Sequence, residues 1–204
     1  MSKINVVLAT DANYLRYVEV TLKSLLAHNQ NLSVFIMYTG DVSPEWGDRL
    51  KPYFEKRNST LKLVYFDENH LASFNPSTYI STTTYLRFYI PSLFQYSESP
   101  YWIYLDCDIV INGDVTRPFY LYNFENYALG AVSDPYVNSL GHSYVNQDYF
   151  NAGVLYLNKN KLQITYCTTG VRASYVAVIL TELGYKVRNY EPSFARYANV
   201  GEVE

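Results

Sequence analysis

At 204 residues, 49% hydrophobic and 17% charged, the chain has room for one sizeable core, or for one full domain and a fragment. A formal net charge of −3 excludes the basic footprint of a nucleic-acid-binding protein. No apolar run in it reaches the roughly 20 residues of a membrane-spanning helix, so no transmembrane segment is expected.

The start, "MSKINVVLATDANY", puts Asp11 too early for the apolar core of a signal peptide, and the expected location is cytoplasmic. Within it "INVVLAT" (4–10) predicts a first strand. Leu15, Val18, Leu22, Leu25 and Leu26 then fall on one helical stripe. "LSVFIMYT" (32–39) predicts a second strand. "SPEWGDRLKPYFEKR" (43–57) predicts a helix with Ser43 as N-cap, Pro44 at its first position and a kink at Pro52. "LKLVYFD" (61–67) is a third strand, and "TTTYLRFYIP" (82–91) sets Arg87 on an otherwise apolar, aromatic helix stripe. Further strands are expected at "YWIYLD" (101–106), "YALGAVSD" (127–134) and "FNAGVLYLN" (150–158).

Near-continuous apolar strands alternating with helices predict an α/β fold, a mostly parallel, doubly wound sheet flanked by helices. In such a sheet ligands bind beyond the carboxyl ends of the strands. The candidate site residues are therefore Thr10 to Tyr14, Asp106 to Asp108, Asp134 and Asn151.

The stretch "YWIYLDCDIVINGD" carries the strongest chemical signal. In extended backbone, Asp106 and Asp108 face one side and Cys107 the other. Two carboxylates so placed repel unless a cation lies between them. A hard divalent ion, Mn²⁺ or Mg²⁺, accepts oxygen ligands and keeps positions open for a diphosphate. The plainer alternative is a solvated turn, where Asp is common. Asp11 and Asn13, directly after the first strand, suit hydrogen bonding to a uracil base and ribose hydroxyls with Tyr14 packed on the ring. Thr10 or Asp11 equally suits the cap of the following helix. Arg87 reads as an ion-pair anchor, or as a donor to phosphate or to a nearby carboxylate.

Five blocks, "VVLATDANY", "STTTYLRFYIPSL", "WIYLDCDIVINGDV", "LGAVSD" and "YFNAGVLYLN", resemble in order and spacing the family 8 retaining glycosyltransferases, over residues 4 to about 162. The resemblance implies a GT-A fold. It also implies a UDP-sugar donor of the UDP-glucose or UDP-galactose type, a glycan acceptor, and a role in lipopolysaccharide or glycan biosynthesis. It places Mn²⁺ or Mg²⁺ on Asp106 and Asp108, uridine on Asp11, Asn13 and Tyr14, and the donor beside Arg87. Asp134, Asn151 and Ala152 match the donor-sugar and acceptor pocket, while Thr10 and Cys107 fall among the nucleotide-binding residues. Past Leu162 the family's acidic "D-Q-D" block, its third metal ligand (a histidine) and its diphosphate-gripping glycine and lysine are missing. The histidines, His28, His70 and His142, all lie upstream. Donor binding is accordingly expected to survive better than turnover.

Residues 163–204 read differently. "ITY" is a short strand ending at Cys167, "TTGVR" a tight loop, 173–183 an apolar helix and "KVRNY" a second strand. Loop N–H groups aimed at a thiol favour its thiolate and make it nucleophilic; a buried structural cysteine is the alternative. The stretch resembles the active-site half of a rhodanese sulfurtransferase domain, with Cys167 as the persulfide carrier and Arg172 closing a Cys-x₄-Arg loop. A second expectation is thus a sulfurtransferase resting on Cys167 and Arg172, and a third a non-catalytic nucleotide-sugar binder. The expected division is 1–162 for a truncated glycosyltransferase domain and 163–204 for the rhodanese-like fragment. The latter is expected as a strand–helix–strand unit laid against the edge of the main sheet, or as a partly disordered segment.

Overall fold

Three strand-forming runs rich in Val, Ile and Leu open the chain, and each takes the extended form that its sequence predicts. The computed structural model describes residues 3–67, 82–134 and 150–162, and the backbone of 164–165 and 188–189. Strand β1 is Ile4–Thr10, β2 Leu32–Tyr38 and β3 Thr60–Tyr65. Helix α1 (Leu15–His28) joins β1 to β2, and α2 (Pro44–Glu55) joins β2 to β3. Ser43 is the N-cap of α2 with Pro44 just inside it, but its hydroxyl bonds the Glu45 carboxylate rather than a backbone N–H. The helix continues through the exposed Pro52 to Glu55.

After β3 the chain crosses the sheet. Residues Thr82–Tyr96 form a long run of 3-10 turns, where the sequence predicts a helix stripe. Three successive threonines lower the α-helical preference at its start, and Pro91 has no N–H to return to residue 87. The run delivers Leu86, Ile90, Leu93 and Phe94 to the core. Strand β4 is Tyr101–Leu105, followed by the short helix α3 (Arg117–Leu121), β5 (Leu129–Ser133) and β6 (Phe150–Asn158).

The six strands lie in the order β3-β2-β1-β4-β6-β5. The first four are parallel, and β6 runs antiparallel to both β4 and β5. Period-two alternation divides the buried side chains between two faces. Ile4, Val6, Leu8, Val34, Ile36, Ile103 and Leu105 meet α1, α2 and Phe119 on one side. Val7, Phe35, Met37, Trp102 and Tyr104 meet the 3-10 run on the other. Both faces are covered, as near-continuous apolar strands require.

Helix α1 does more than cover the sheet. Polar residues on it and at its C-cap hold the segment after β4: the buried C-cap Asn29 donates from Nδ2 to Gly113 O at 3.0 Å, and its Oδ1 accepts from Val115 N at 2.9 Å. Ser24 Oγ accepts from Ile111 N at 2.9 Å.

Beyond Leu162, Ile164–Thr165 (β7) pairs in parallel with Arg188–Asn189 (β8). The two strands of the expected C-terminal unit are therefore present. They form their own two-stranded sheet instead of extending the six-stranded one. Cys167, Arg172 and the intervening loop and helix lie outside the described residues.

Candidate active site

The strand order fixes where a site is built. From β1 the chain winds outward through β2 and β3, then returns to place β4 on the other side of β1. The crevice beyond the carboxyl ends of β1 and β4 is thus the topological switch point, the preferred ligand position in sheets of this kind. Because β6 is antiparallel to β4, its first residues arrive at the same end, with Val154 opposite Leu105.

At the end of β1, Asp11 caps the turn before α1. Its Oδ1 accepts from Asn13 N at 2.8 Å and Tyr14 N at 3.2 Å. Capping accounts for that oxygen; Oδ2 lies 3.5 Å from Thr83 Oγ1, which ties the 3-10 run to this corner. Thr10 is buried and donates to Asp11 O. Asn13 and Tyr14 are exposed, with Tyr14 tilted against Tyr17 at 5.3 Å.

At the end of β4 stands Asp106. Its Oδ1 accepts from Tyr104 Oη at 2.9 Å and from Arg87 Nη2 at 3.3 Å. Arg87 spends its other donors nearby: Nη1 on Ala152 O at 2.8 Å and Nε on Thr84 O at 3.0 Å. Its guanidinium also sits 4.9 Å over the Tyr104 ring. Of the roles open to Arg87 in the sequence, the structure shows donation to a nearby carboxylate. Burial, the largest cause, keeps the Tyr104 hydroxyl protonated far above the usual phenol range, so it remains a donor.

The β5–β6 register slips at this point. Ala131 pairs with Leu155 but Val132 pairs with Asn151, so Ala152, Gly153 and Val154 have no partner on β5. A bulge beside a site re-aims backbone and side chains. Here it turns Ala152 O to Arg87, while Asn151 Oδ1 accepts from Gly153 N at 2.8 Å. Val132, Ser133, Asp134, Asn151 and Val154 line a depression of about 270 Å³ beside the slip. Asp134 and Asn151 are thereby brought together.

Cys107 and Asp108 leave the sheet. Strand β4 ends at Leu105 and residues 107–108 form a turn, so strand alternation does not extend as far as Asp108. Asp108 is exposed, and Cys107 packs half-buried against the core under α1. Burial, then the charges of Asp108 and Asp106, push its thiol up to about 11, and a hydrogen bond with Thr10 opposes this only in part. The turn is held from below, the buried Thr21 Oγ1 lying 2.9 Å from Cys107 O and 2.7 Å from Ile109 O. Replacing Thr21 by valine keeps the shape and deletes that donor. The expected loss is about 1–2 kcal/mol of stability in urea unfolding.

Sequence reasoning passed over Tyr104, Gly153, Thr83 and Thr21. Tyr104 was findable, because a residue two before Asp106 in a strand shares its face. Thr21 was findable as a polar residue beside the apolar stripe of α1. Thr83 and Gly153 act through contacts between distant segments, which no local pattern marks.

Do these residues suit a divalent ion? Asp106 and Asp108 are hard oxygen donors two residues apart. Among the described residues, the side-chain donors to Asp106, Tyr104 and Arg87, both reach Oδ1, while Oδ2 occupies space that exists because residue 153 has no side chain; a Cβ there would meet it at 2.6 Å. No group of three or more His, Cys, Asp and Glu comes together among the described residues. What this end of β4 offers a hard cation is therefore the chemistry of two carboxylate side chains, Asp106 and Asp108.

The mostly parallel sheet and its switch-point crevice define a GT-A type α/β fold. Residues 5–173 match the model of glycosyl transferase family 8, a match that runs past Leu162, and the chain belongs to that family. Glycosyltransferase GlyF of Streptococcus pneumoniae is 32% identical over 157 residues, covering 77% of this chain and 37% of GlyF. The crystal structure of glycosyltransferase GlyE from the same species superposes with a TM-score of 0.60 at 26% identity, covering 98% of this chain and 43% of that one. The structure of galactosyltransferase LgtC with donor and acceptor sugar analogs gives a TM-score of 0.69 at 22% identity, covering 96% and 70%; at that identity the likeness speaks for the fold. This chain spans less than half the length of its streptococcal relatives. No helix among the described residues is long and apolar enough to cross a membrane.

Proposed function

We propose that the chain binds a UDP-sugar of the UDP-glucose or UDP-galactose type through Mn²⁺ or Mg²⁺ and transfers its hexose to a glycan acceptor. The observation that carries this reading is Asp106, fixed by Tyr104 and Arg87 at the switch-point crevice, with Asp108 two residues beyond. These two carboxylates would hold the cation, which when bound stabilises negative charge on the departing diphosphate. Asn13 and the ring of Tyr14, both exposed at the end of β1, serve the uridine. Asp11 braces that corner through its cap. Asp134 and Asn151 orient the sugar in the depression that they line, and Arg87 holds β4, β6 and the 3-10 run in register around it.

Calorimetric titration of UDP into the chain tests this. Binding is expected with Mn²⁺ and is expected to vanish with EDTA; equal binding under both conditions would overturn the metal-dependent reading. Release of hexose from UDP-glucose or UDP-galactose then separates a transferase from a nucleotide-sugar binder.

A further inference from the structure

We propose that Tyr104 and Gly153 are positioning residues that set the plane of the Asp106 carboxylate from opposite sides, and that divalent-cation affinity depends on both. This inference rests on the metal–nucleotide reading above and assigns to that site two residues that do not themselves touch the ligand.

A carboxylate at the end of an aspartate rotates broadly about its last torsion, so its orientation must be imposed from outside. On one side Tyr104 Oη donates to Oδ1 at 2.9 Å, from a ring that is 2% exposed and stacked under Arg87. Tyr104 and Asp106 share a face because they are two residues apart at the strand's end. On the other side lies Gly153. A Cβ built there would stand 2.6 Å from Asp106 Oδ2, 3.2 Å from its Cγ and 3.0 Å from Asn151 Oδ1. The backbone of Gly153 is not left-handed, so its conformation is open to other residues and glycine is required for space alone.

The main chain closes the arrangement. Asp106 N donates to Gly153 O at 2.8 Å, which locks the two residues at one height. The register slip removes Gly153 from pairing with β5, and the Asn151 side chain holds its N–H. Oδ1 is drawn to the tyrosine and arginine while Oδ2 fits the gap at Gly153. A methyl group there first meets the ends of the Asp106 and Asn151 side chains rather than backbone, so it is the carboxylate that must turn or shift to make room.

The two substitutions separate positioning from folding. Tyr104→Phe keeps the packed ring and removes one hydroxyl. Gly153→Ala adds a methyl group in a strand, where alanine ordinarily stabilises relative to glycine. Mn²⁺ binding in the presence of UDP is followed on the full chain by the loss of the free-Mn²⁺ EPR signal, with urea unfolding in parallel. Both variants are expected to lose about tenfold or more in Mn²⁺ affinity, the usual effect of removing an outer partner of a metal ligand. Gly153→Ala is expected to unfold at a urea concentration no lower than the wild type. Wild-type affinity in either variant overturns the assignment of that residue, and a Gly153→Ala chain that loses stability in step with affinity overturns positioning in favour of a structural role. A wild-type chain that binds no Mn²⁺ in the presence of UDP overturns the functional reading itself, and this inference with it.

Discussion

Asp106→Asn is expected to lose Mn²⁺-dependent UDP binding by at least about 100-fold, the upper end of what removing a mere outer partner of a metal ligand costs. The substitution keeps the size of the side chain and one oxygen for Tyr104 and Arg87 to reach. It removes the charge that a hard cation needs from its ligand. The effect on folding should be small by comparison. The Arg87–Asp106 pair spans 3.3 Å with the aspartate side chain 36% exposed, so water screens much of the attraction, and about 1 kcal/mol is expected. In a chain of this length that lowers Tm by roughly 2–4 °C. Asp108→Asn should weaken metal-dependent binding with still less effect on stability, because Asp108 is exposed. Calorimetric titration of UDP with Mn²⁺ checks both variants. Affinity within threefold of wild type for Asp106→Asn would remove the cation from this crevice.

Much of this fold was legible from hydrophobic runs alone. Strands β1 and β6 fall on the stretches that their sequences mark, and the other four agree to within a residue or two. Burial on both faces is what makes the central runs β1, β2 and β4 continuous, so there the signal is strong and local. The 3-10 run was less legible. Its apolar residues repeat like those of a helix, but the threonines and Pro91 that alter its hydrogen bonding act against that pattern. The antiparallel direction of β6 was not legible at all, since an apolar run does not carry its own polarity. That direction matters to the site, because it brings Asn151, Ala152 and Gly153 to the end of β4.

The individual site residues divide along the same line. Asp11 and Asp106 stand where strand ends predict them. The partner of Arg87 was left open by the sequence, because choosing between phosphate and carboxylate requires the distance to Asp106. In the sequence Gly153 is one more small residue in an apolar run. It acquires a role only once Asp106 is seen pressed against it. Asp108 shows a limit of another kind: alternation holds within a strand, and β4 stops at Leu105.

Arg87→Met is expected to be the most damaging substitution for stability at the site. Methionine keeps much of the aliphatic length and discards every donor. Three acceptors on three segments then lose a partner together: Thr84 O in the 3-10 run, Asp106 Oδ1 at the end of β4, and Ala152 O at the bulge of β6. The ion pair itself is screened by water and contributes about 1 kcal/mol, and each of the two carbonyls left without its donor, Thr84 O and Ala152 O, costs about 1 kcal/mol more. A loss of about 3 kcal/mol corresponds to roughly 6–12 °C in Tm for a chain of this size. Arg87→Lys should fall between, since an ammonium keeps the charge but cannot hold three acceptors in the fixed fork of a guanidinium. The two variants part on function. Lysine preserves the positive charge beside Asp106 and should retain more Mn²⁺–UDP binding than methionine, even where both unfold early. Equal stability of Arg87→Met and wild type in urea would mean that the guanidinium holds none of the three segments. Arg87 would then be left to act on the donor directly.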